Sequence, residues 1–418
     1  MSEPYGREGL PLEEARRQIL EALAPLRRHE TLPLTACLGR VSAEPVRSSE
    51  AVPGFRASIM DGYAIAGEAL PEVGERWRLV GRSSAGAPHP DSLKAGEAVR
   101  ILTGAVVPEG CGRVLPQELV RRLEREASDD TAAIELARAC GANPWIRSPQ
   151  EECAAGAELL PAGQRLGPAE LGRLASCGVQ VLSVMARPRV GLLISGDELL
   201  PPGAARGTGQ IWESNSLLLT ALLQRLGHGV EVVRLVADQP APLRAALRDL
   251  AAACDVVVST GGVSAGDTDW IRQLVSELGE VTFWKLFLKP GRPFAWGQVQ
   301  GTPFFGLPGN PVAAAITALQ LLHPALQRLE GAEPQPLPRL KVKLESPLRR
   351  GSGRPELARA RLVVDSEGGL GARVEGSQGS SRIGSLQSAD LLLEIPAELG
   401  DLEAGTELWA QLLRLAVF

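Results

Sequence analysis

From residue 190 onward, short apolar runs alternate with segments of helical spacing. Residues 190–194 are apolar and break into Ser195-Gly196-Asp197-Glu198; residues 230–236 end at Ala237-Asp238; residues 255–259 break into a loop running from Thr260-Gly261-Gly262 to Asp267-Thr268-Asp269. Between and after them, residues 214–226, 242–253, 268–278 and 312–329 carry the helical period, and residues 281–288 and 302–306 read as further strands. Apolar strands alternating with helices predict a parallel sheet covered on both faces. Ligands of such sheets lie beyond the carboxyl ends of the strands. Three strands bring a carboxylate to that edge: Glu198, Asp238, and Asp267 or Asp269. In the 281–288 strand, Lys285, Phe287 and Lys289 share one face, with the two ammonium stems about 13 Å apart at roughly 3.3 Å per residue.

The flanks read differently. Residues 10–26 place Leu12, Ala15, Ile19, Leu23 and Leu26 on one helical stripe, and residues 168–176 predict a second helix. Between them, residues 73–118 show short strands broken by Gly and Pro, so a β-rich unit interrupts a helical one. Pro53 to Ala64 mixes turn formers with apolar residues and carries Asp61; Thr103-Gly104-Ala105 follows a strand. Pro334, Pro336 and Pro338 mark a stiff linker before a last β-rich segment. The expected layout is a helical unit of residues 1–50 and 146–185, an inserted β unit of 51–145, a central α/β unit of 186–332 and a β unit of 333–418.

A length of 418 residues suits about three domains at roughly 150 residues each. A net charge of −5 argues against a general nucleic-acid binder. No apolar run nears the roughly 20 residues that span a bilayer, and the polar amino terminus shows no signal core, so a cytoplasmic location is expected. Six cysteines without a C-x-x-C pair and four scattered histidines leave oxygen donors for any metal, which favours magnesium. Lys285, Lys289 and Arg292 supply cations near the same edge. Asn310-Pro311 reads as a helix cap whose free amides suit an anion, and the loop 376–381 offers hydroxyls. The glycine loop has neither Walker A nor G-x-G-x-x-G spacing. Carboxylates facing lysines and amides point to a phosphorylated ligand held with a divalent ion.

The ordered set Met60-Asp61-Gly62-Tyr63-Ala64, Thr103-Gly104-Ala105, Ser195-Gly196-Asp197-Glu198-Leu199, Gly261-Gly262-Val263-Ser264, residues 285–290 and Leu307-Pro308-Gly309-Asn310-Pro311 resembles the molybdopterin molybdenumtransferases, the MoeA family that includes the gephyrin E domain. The resemblance implies a homodimer of four-domain subunits with a MogA-like central sheet, doubly wound and mostly parallel. It implies magnesium-dependent insertion of molybdate into adenylylated molybdopterin with release of AMP. An upstream adenylyltransferase and downstream molybdoenzymes are the implied protein partners. Asp61, Thr103, Glu198, Asp238, Asp269, Lys285 and Lys289 match its cleft positions, with Glu198, Asp238 and Asp269 as metal ligands. Gly261, Gly262, Ser264, Asp267, Arg292, Pro308 and Asn310 fall to substrate binding, and Arg359 and Ser380 to molybdate. The family's R-x-x-G-E-D appears as Arg147 followed by Ser148-Pro149-Gln150-Glu151-Glu152, so Glu152 replaces the aspartate and Gln150 a glycine with freer backbone. Two other readings are a non-catalytic scaffold and a different pterin or nucleotide enzyme on the same central unit.

Overall fold

The Val230–Val236, Val190–Ser195, Val256–Thr260 and Thr302–Leu307 strands lie side by side in that order, all parallel, and Ala295–Val299 and Gly279–Trp284 extend the sheet antiparallel. The structure is a computed structural model and describes residues 9–123, 132–262 and 270–414. The period of two sorts the side chains. Val190, Leu192 and Ile194 pack with Leu219, Leu223 and the helices after Pro311, while Leu193, Val257 and Phe304 pack with Leu243, Leu247, Ile271 and Leu274. The sheet is therefore doubly wound, mixed α/β and mostly parallel.

The long helix expected over 312–329 has a wider turn in its middle: Pro311–Thr317 and His323–Leu329 are α-helical and Ala318–Leu322 is a π turn. Pro324 has no N–H for the carbonyl one turn back, which accounts for the break. The first helix, Leu12–Ala22, buries Ala15 and Ile19 against this segment in the central core. Arg16 adds hydrogen bonds to the Gln320 carbonyl (3.0 Å) and side chain (2.9 Å). It belongs energetically to the central unit, whereas the Pro168–Ser176 helix packs in a separate core with Cys37, Leu160, Leu166 and Val184. That second core is closed by two strand pairs, His29–Pro33 with Val181–Met185 and Val46–Arg47 with Glu158–Leu160. The strands from Gly62–Ala66 to Ala133–Leu136 form a six-stranded sheet of their own, and the strands between Arg339 and Leu412 close into a barrel.

One strand expectation is corrected. The edge strand ends at Trp284, and Lys285 takes φ +84°. From there the chain leaves the sheet: the Leu10 amide donates to the Lys285 carbonyl at 3.1 Å and the Phe287 amide to the Leu10 carbonyl at 2.8 Å. Lys289 then meets the barrel through its amide on the Pro355 carbonyl at 2.9 Å. Lys285, Phe287 and Lys289 do not share a strand face, because the amino-terminal segment and the barrel compete for their backbone. Among the described residues no helix is long and apolar enough to cross a membrane.

Candidate functional site

The carboxyl ends of the parallel strands open into a cleft of about 720 Å³, closed on its far side by the barrel loop 378–383. Glu198, Gly261, Gly262, Lys289, Arg292, Pro308, Asn310 and Ser380 all line it. The strand Val190–Ser195 delivers Ser195 and Glu198. Glu198 folds back over Gly196, where an added Cβ would lie 2.7 Å from its Oε2. Gly261 and Gly262 have φ +85° and +63°, and an added Cβ would lie 2.6 Å from the Ser195 carbonyl and from Ile271 Cγ1 respectively. Glycine is needed at both, for conformation and for space.

Asp238 stands at the same strand edge without lining the cleft. Its amide donates to Asp197 Oδ1 at 3.0 Å, and its own Oδ1 is buried with no hydrogen-bond partner. Burial, then repulsion from Asp197 and Glu198, raises its pKa above the ordinary aspartate value. Among the described residues no group of three or more His, Cys, Asp or Glu side chains is set to hold a metal ion. Ser264, Asp267 and Asp269 lie outside the described residues.

The opposite wall is cationic. Lys289 is exposed and reaches buried Glu356 at 3.1 Å, while Glu356 also takes Arg350 at 3.1 Å. Lys285 is half-buried and does not line the cleft. Asn310 begins the Pro311–Thr317 helix but does not cap it with its side chain. Its amide instead donates to Ser380 Oγ at 3.0 Å, and the Val312 amide donates to the Ser380 carbonyl at 3.1 Å. The anion site expected at this helix start is thus partly taken by the barrel loop, a contact that no local pattern encodes. Arg359 is also placed otherwise than expected. It is 2% exposed and does not line the cleft; Nε donates to Ser385 Oγ at 3.1 Å and Nη2 to the Gly379 carbonyl at 3.2 Å. Burial lowers its pKa. It braces the Ser380 loop from beneath.

A second locus forms in the amino-terminal units. Thr103 donates to Asp61 Oδ1 through both its amide and its hydroxyl, each at 2.8 Å. These two bonds hold the Asp61 carboxyl below the usual range. The Gly104 amide donates to the Ser58 carbonyl at 2.8 Å, Arg147 pairs with Ala57, and the Glu152 amide donates to the Val52 carbonyl at 2.9 Å. Three motifs far apart in sequence therefore meet. Gln150 adopts φ +70°, a left-handed conformation that glycine takes more readily. Glu152 pairs with Arg173 at 3.0 Å. None of Asp61, Thr103 or Glu152 lines the cleft of this chain.

Three family models cover the chain in order: the MoeA N-terminal region (domain I and II) over residues 10–178, a probable molybdopterin binding domain over 191–328, and the MoeA C-terminal region (domain IV) over 341–413. The molybdopterin molybdenumtransferase of Haemophilus influenzae is 32% identical over 399 residues, spanning 95% of this chain and 96% of its own. The chain belongs to the molybdopterin molybdenumtransferase family. Molybdopterin molybdenumtransferase 2 of Mycobacterium tuberculosis is likewise 32% identical over 401 residues, spanning 94% of this chain and 96% of its own. A molybdopterin biosynthesis MoeA protein of Pyrococcus horikoshii superposes with TM-score 0.79 at 26% identity, over 96% of this chain and 99% of that one. The family is one of transferases in molybdenum cofactor biosynthesis, and gephyrin of Dictyostelium discoideum is 30% identical over 95% of this chain and 61% of its own.

Motif reading passed over part of this family member's cleft. Ser195, Trp212 and Asn215 line it, and the Ser195 Oγ and Asn215 Oδ1 atoms are buried with no hydrogen-bond partner. Asn215 Nδ2 donates to the Gly309 carbonyl at 2.7 Å, tying one strand end to another. The signal available was the polar triplet Glu213-Ser214-Asn215 entering a helix beside a strand end.

Proposed function

We propose that the chain inserts molybdate into adenylylated molybdopterin and releases AMP, with dependence on magnesium. The observation that carries this reading is the division of one cleft: Glu198 and the glycine backbone on one side, Lys289, Arg292 and the Ser380 loop on the other. That division suits a ligand carrying a phosphoanhydride and an incoming oxyanion. Glu198 and Asp238, with Asp269, are the carboxylates that would hold magnesium. The orphaned, buried oxygen of Asp238 beside Asp197 and Glu198 fits a group that gains a cation. Magnesium bound there would neutralise anhydride charge and polarise the bond to be broken.

In this reading Lys289 moves from Glu356 to the phosphates, and Arg292 offsets charge on the other side of the Pro290 turn. Lys285 steadies the same charge from outside the cleft wall. The Ser380 hydroxyl and neighbouring amides receive molybdate, and Arg359 holds that loop in place. Two dithiolene thiols bind molybdenum while one molybdate oxygen leaves as water with their two protons, molybdenum staying at +6; one water adds across the anhydride, giving the pterin phosphate and AMP. The Asp61–Thr103 locus would come from the partner subunit of a homodimer, because within one chain it lies apart from the cleft. Free cysteines and a thiol-bearing substrate suit the reducing cytoplasm, with an adenylyltransferase upstream and molybdoenzymes downstream.

The test is Glu198→Gln, assayed for AMP release from adenylylated molybdopterin with molybdate and magnesium. Release should fall to background while circular dichroism and assembly state stay as in the parent. AMP release at the parent rate refutes the assignment.

A further inference from the structure

Trp212 is 48% exposed yet held still. Its Nε1 donates to the Ala204 carbonyl at 2.9 Å, and the Arg206 guanidinium lies over its ring at 4.4 Å. The backbone on either side is pinned too: the Ile211 amide donates to the Glu198 carbonyl at 2.8 Å and the Glu213 amide to the Leu200 carbonyl at 2.7 Å. Trp212 lines the cleft and Arg206 does not. One face of the indole is covered by a cation, and the half-exposed ring lies in the wall of the cleft that Glu198 also lines.

We propose that Trp212 is a stacking platform for a planar, fused heteroaromatic ring of the ligand. This deepens the reading of the cleft given above and rests on it; both the purine of an adenylyl group and a pterin have this chemistry. An exposed aromatic face is costly to leave wet, and an indole already fixed by a hydrogen bond loses little freedom on binding. The guanidinium behind the ring fixes its plane. The same wall continues as Glu213, Ser214 and Asn215; Glu213 is held by Ser216, and the buried Asn215 Oδ1 is a polar group without a partner in this wall. A protein partner would meet a flat apolar surface more readily than a residue in a cleft wall shared with Lys289 and Arg292.

The experiment measures AMP and 6-hydroxymethylpterin binding to the full-length protein, Trp212→Ala and Trp212→Phe by titration calorimetry. Fluorescence quenching of the parent minus that of Trp212→Phe isolates the signal of this one indole. Trp212→Ala should weaken one of the two compounds about ten-fold, and Trp212→Phe should stay within about three-fold. The compound that loses affinity identifies the ring. Orthomolybdate binding should not change. Parent-like affinity of Trp212→Ala for both compounds overturns the stacking role alone. A change of assembly state with unchanged affinity overturns it in favour of a subunit contact. If the parent binds neither compound, the reading of the cleft falls and the stacking proposal with it.

Discussion

Replacing His323 by glutamine should remove about 2 kcal/mol of acid sensitivity from the fold between about pH 8 and about pH 5. His323 is 8% exposed and its Nδ1 lies 3.2 Å from Nε2 of His228, which is more deeply buried. Burial, with Arg165 nearby, depresses the His323 pKa from 6.5 to about 4. The unfolded chain therefore binds more protons than the folded one below the unfolded value. Stability is complete above that value and drains as the pH falls toward the folded one. At about pH 5 the unfolded imidazole is almost wholly charged and the folded one about a tenth so. That difference is roughly 1.5 pH units of linkage at about 1.4 kcal/mol each. Glu330, fully buried and paired with Arg165 at 2.6 Å, is pushed up by burial and acts with the opposite sign. His228 is depressed by burial and acts with the same sign as His323. Glu330 remains in the variant and to first order drops out of the difference; His228 loses the part of its depression that His323 causes, which reduces acid sensitivity in the same direction. Glutamine keeps a hydrogen-bonding amide and does not titrate. Urea unfolding of parent and His323→Gln, at fixed protein concentration across this range, gives the two curves. Parallel curves refute the assignment.

Glu356→Ala strips Arg350, whose side chain is 3% exposed, of its counterion and should cost about 3 kcal/mol in thermal unfolding; a loss well under 1 kcal/mol would show that its bonds to the Arg354, Pro396 and Leu399 carbonyls suffice. Gly262→Ala forces a side chain into φ +63° against Ile271 and should cost about 1–2 kcal/mol, read from the urea midpoint, with weaker AMP binding. Asp61→Asn should lower AMP release at least about ten-fold without moving the melting temperature, because it changes an exposed acceptor rather than the core; an unaltered rate excludes Asp61 from the reaction. Magnesium affinity, measured calorimetrically, should weaken as the pH falls through the raised pKa of Asp238, and Asp238→Asn should abolish that pH dependence; a pH-independent affinity places the ion elsewhere.

The local pattern determined most of the elements. The Val230–Val236, Thr302–Leu307 and Pro168–Ser176 segments lie where period and turn residues place them, to within a residue, because hydrophobic period and Gly or Pro punctuation act within a few residues. Glu198, the two glycines and the Pro308–Asn310 turn reach one cleft because each follows a parallel strand, and strand polarity is legible from alternation with helices. What the tertiary structure alone decided are contacts between segments far apart in the chain. Lys285 leaves the sheet because Leu10 claims its carbonyl, Lys289 turns to Glu356 on the barrel, and Asn310 meets Ser380 instead of capping its helix. Arg359, charged and read as a ligand group, is buried beneath the loop it supports. Such pairings depend on how whole units dock, and docking is settled by summed burial and charge across their surfaces rather than by the few neighbours that a local pattern records.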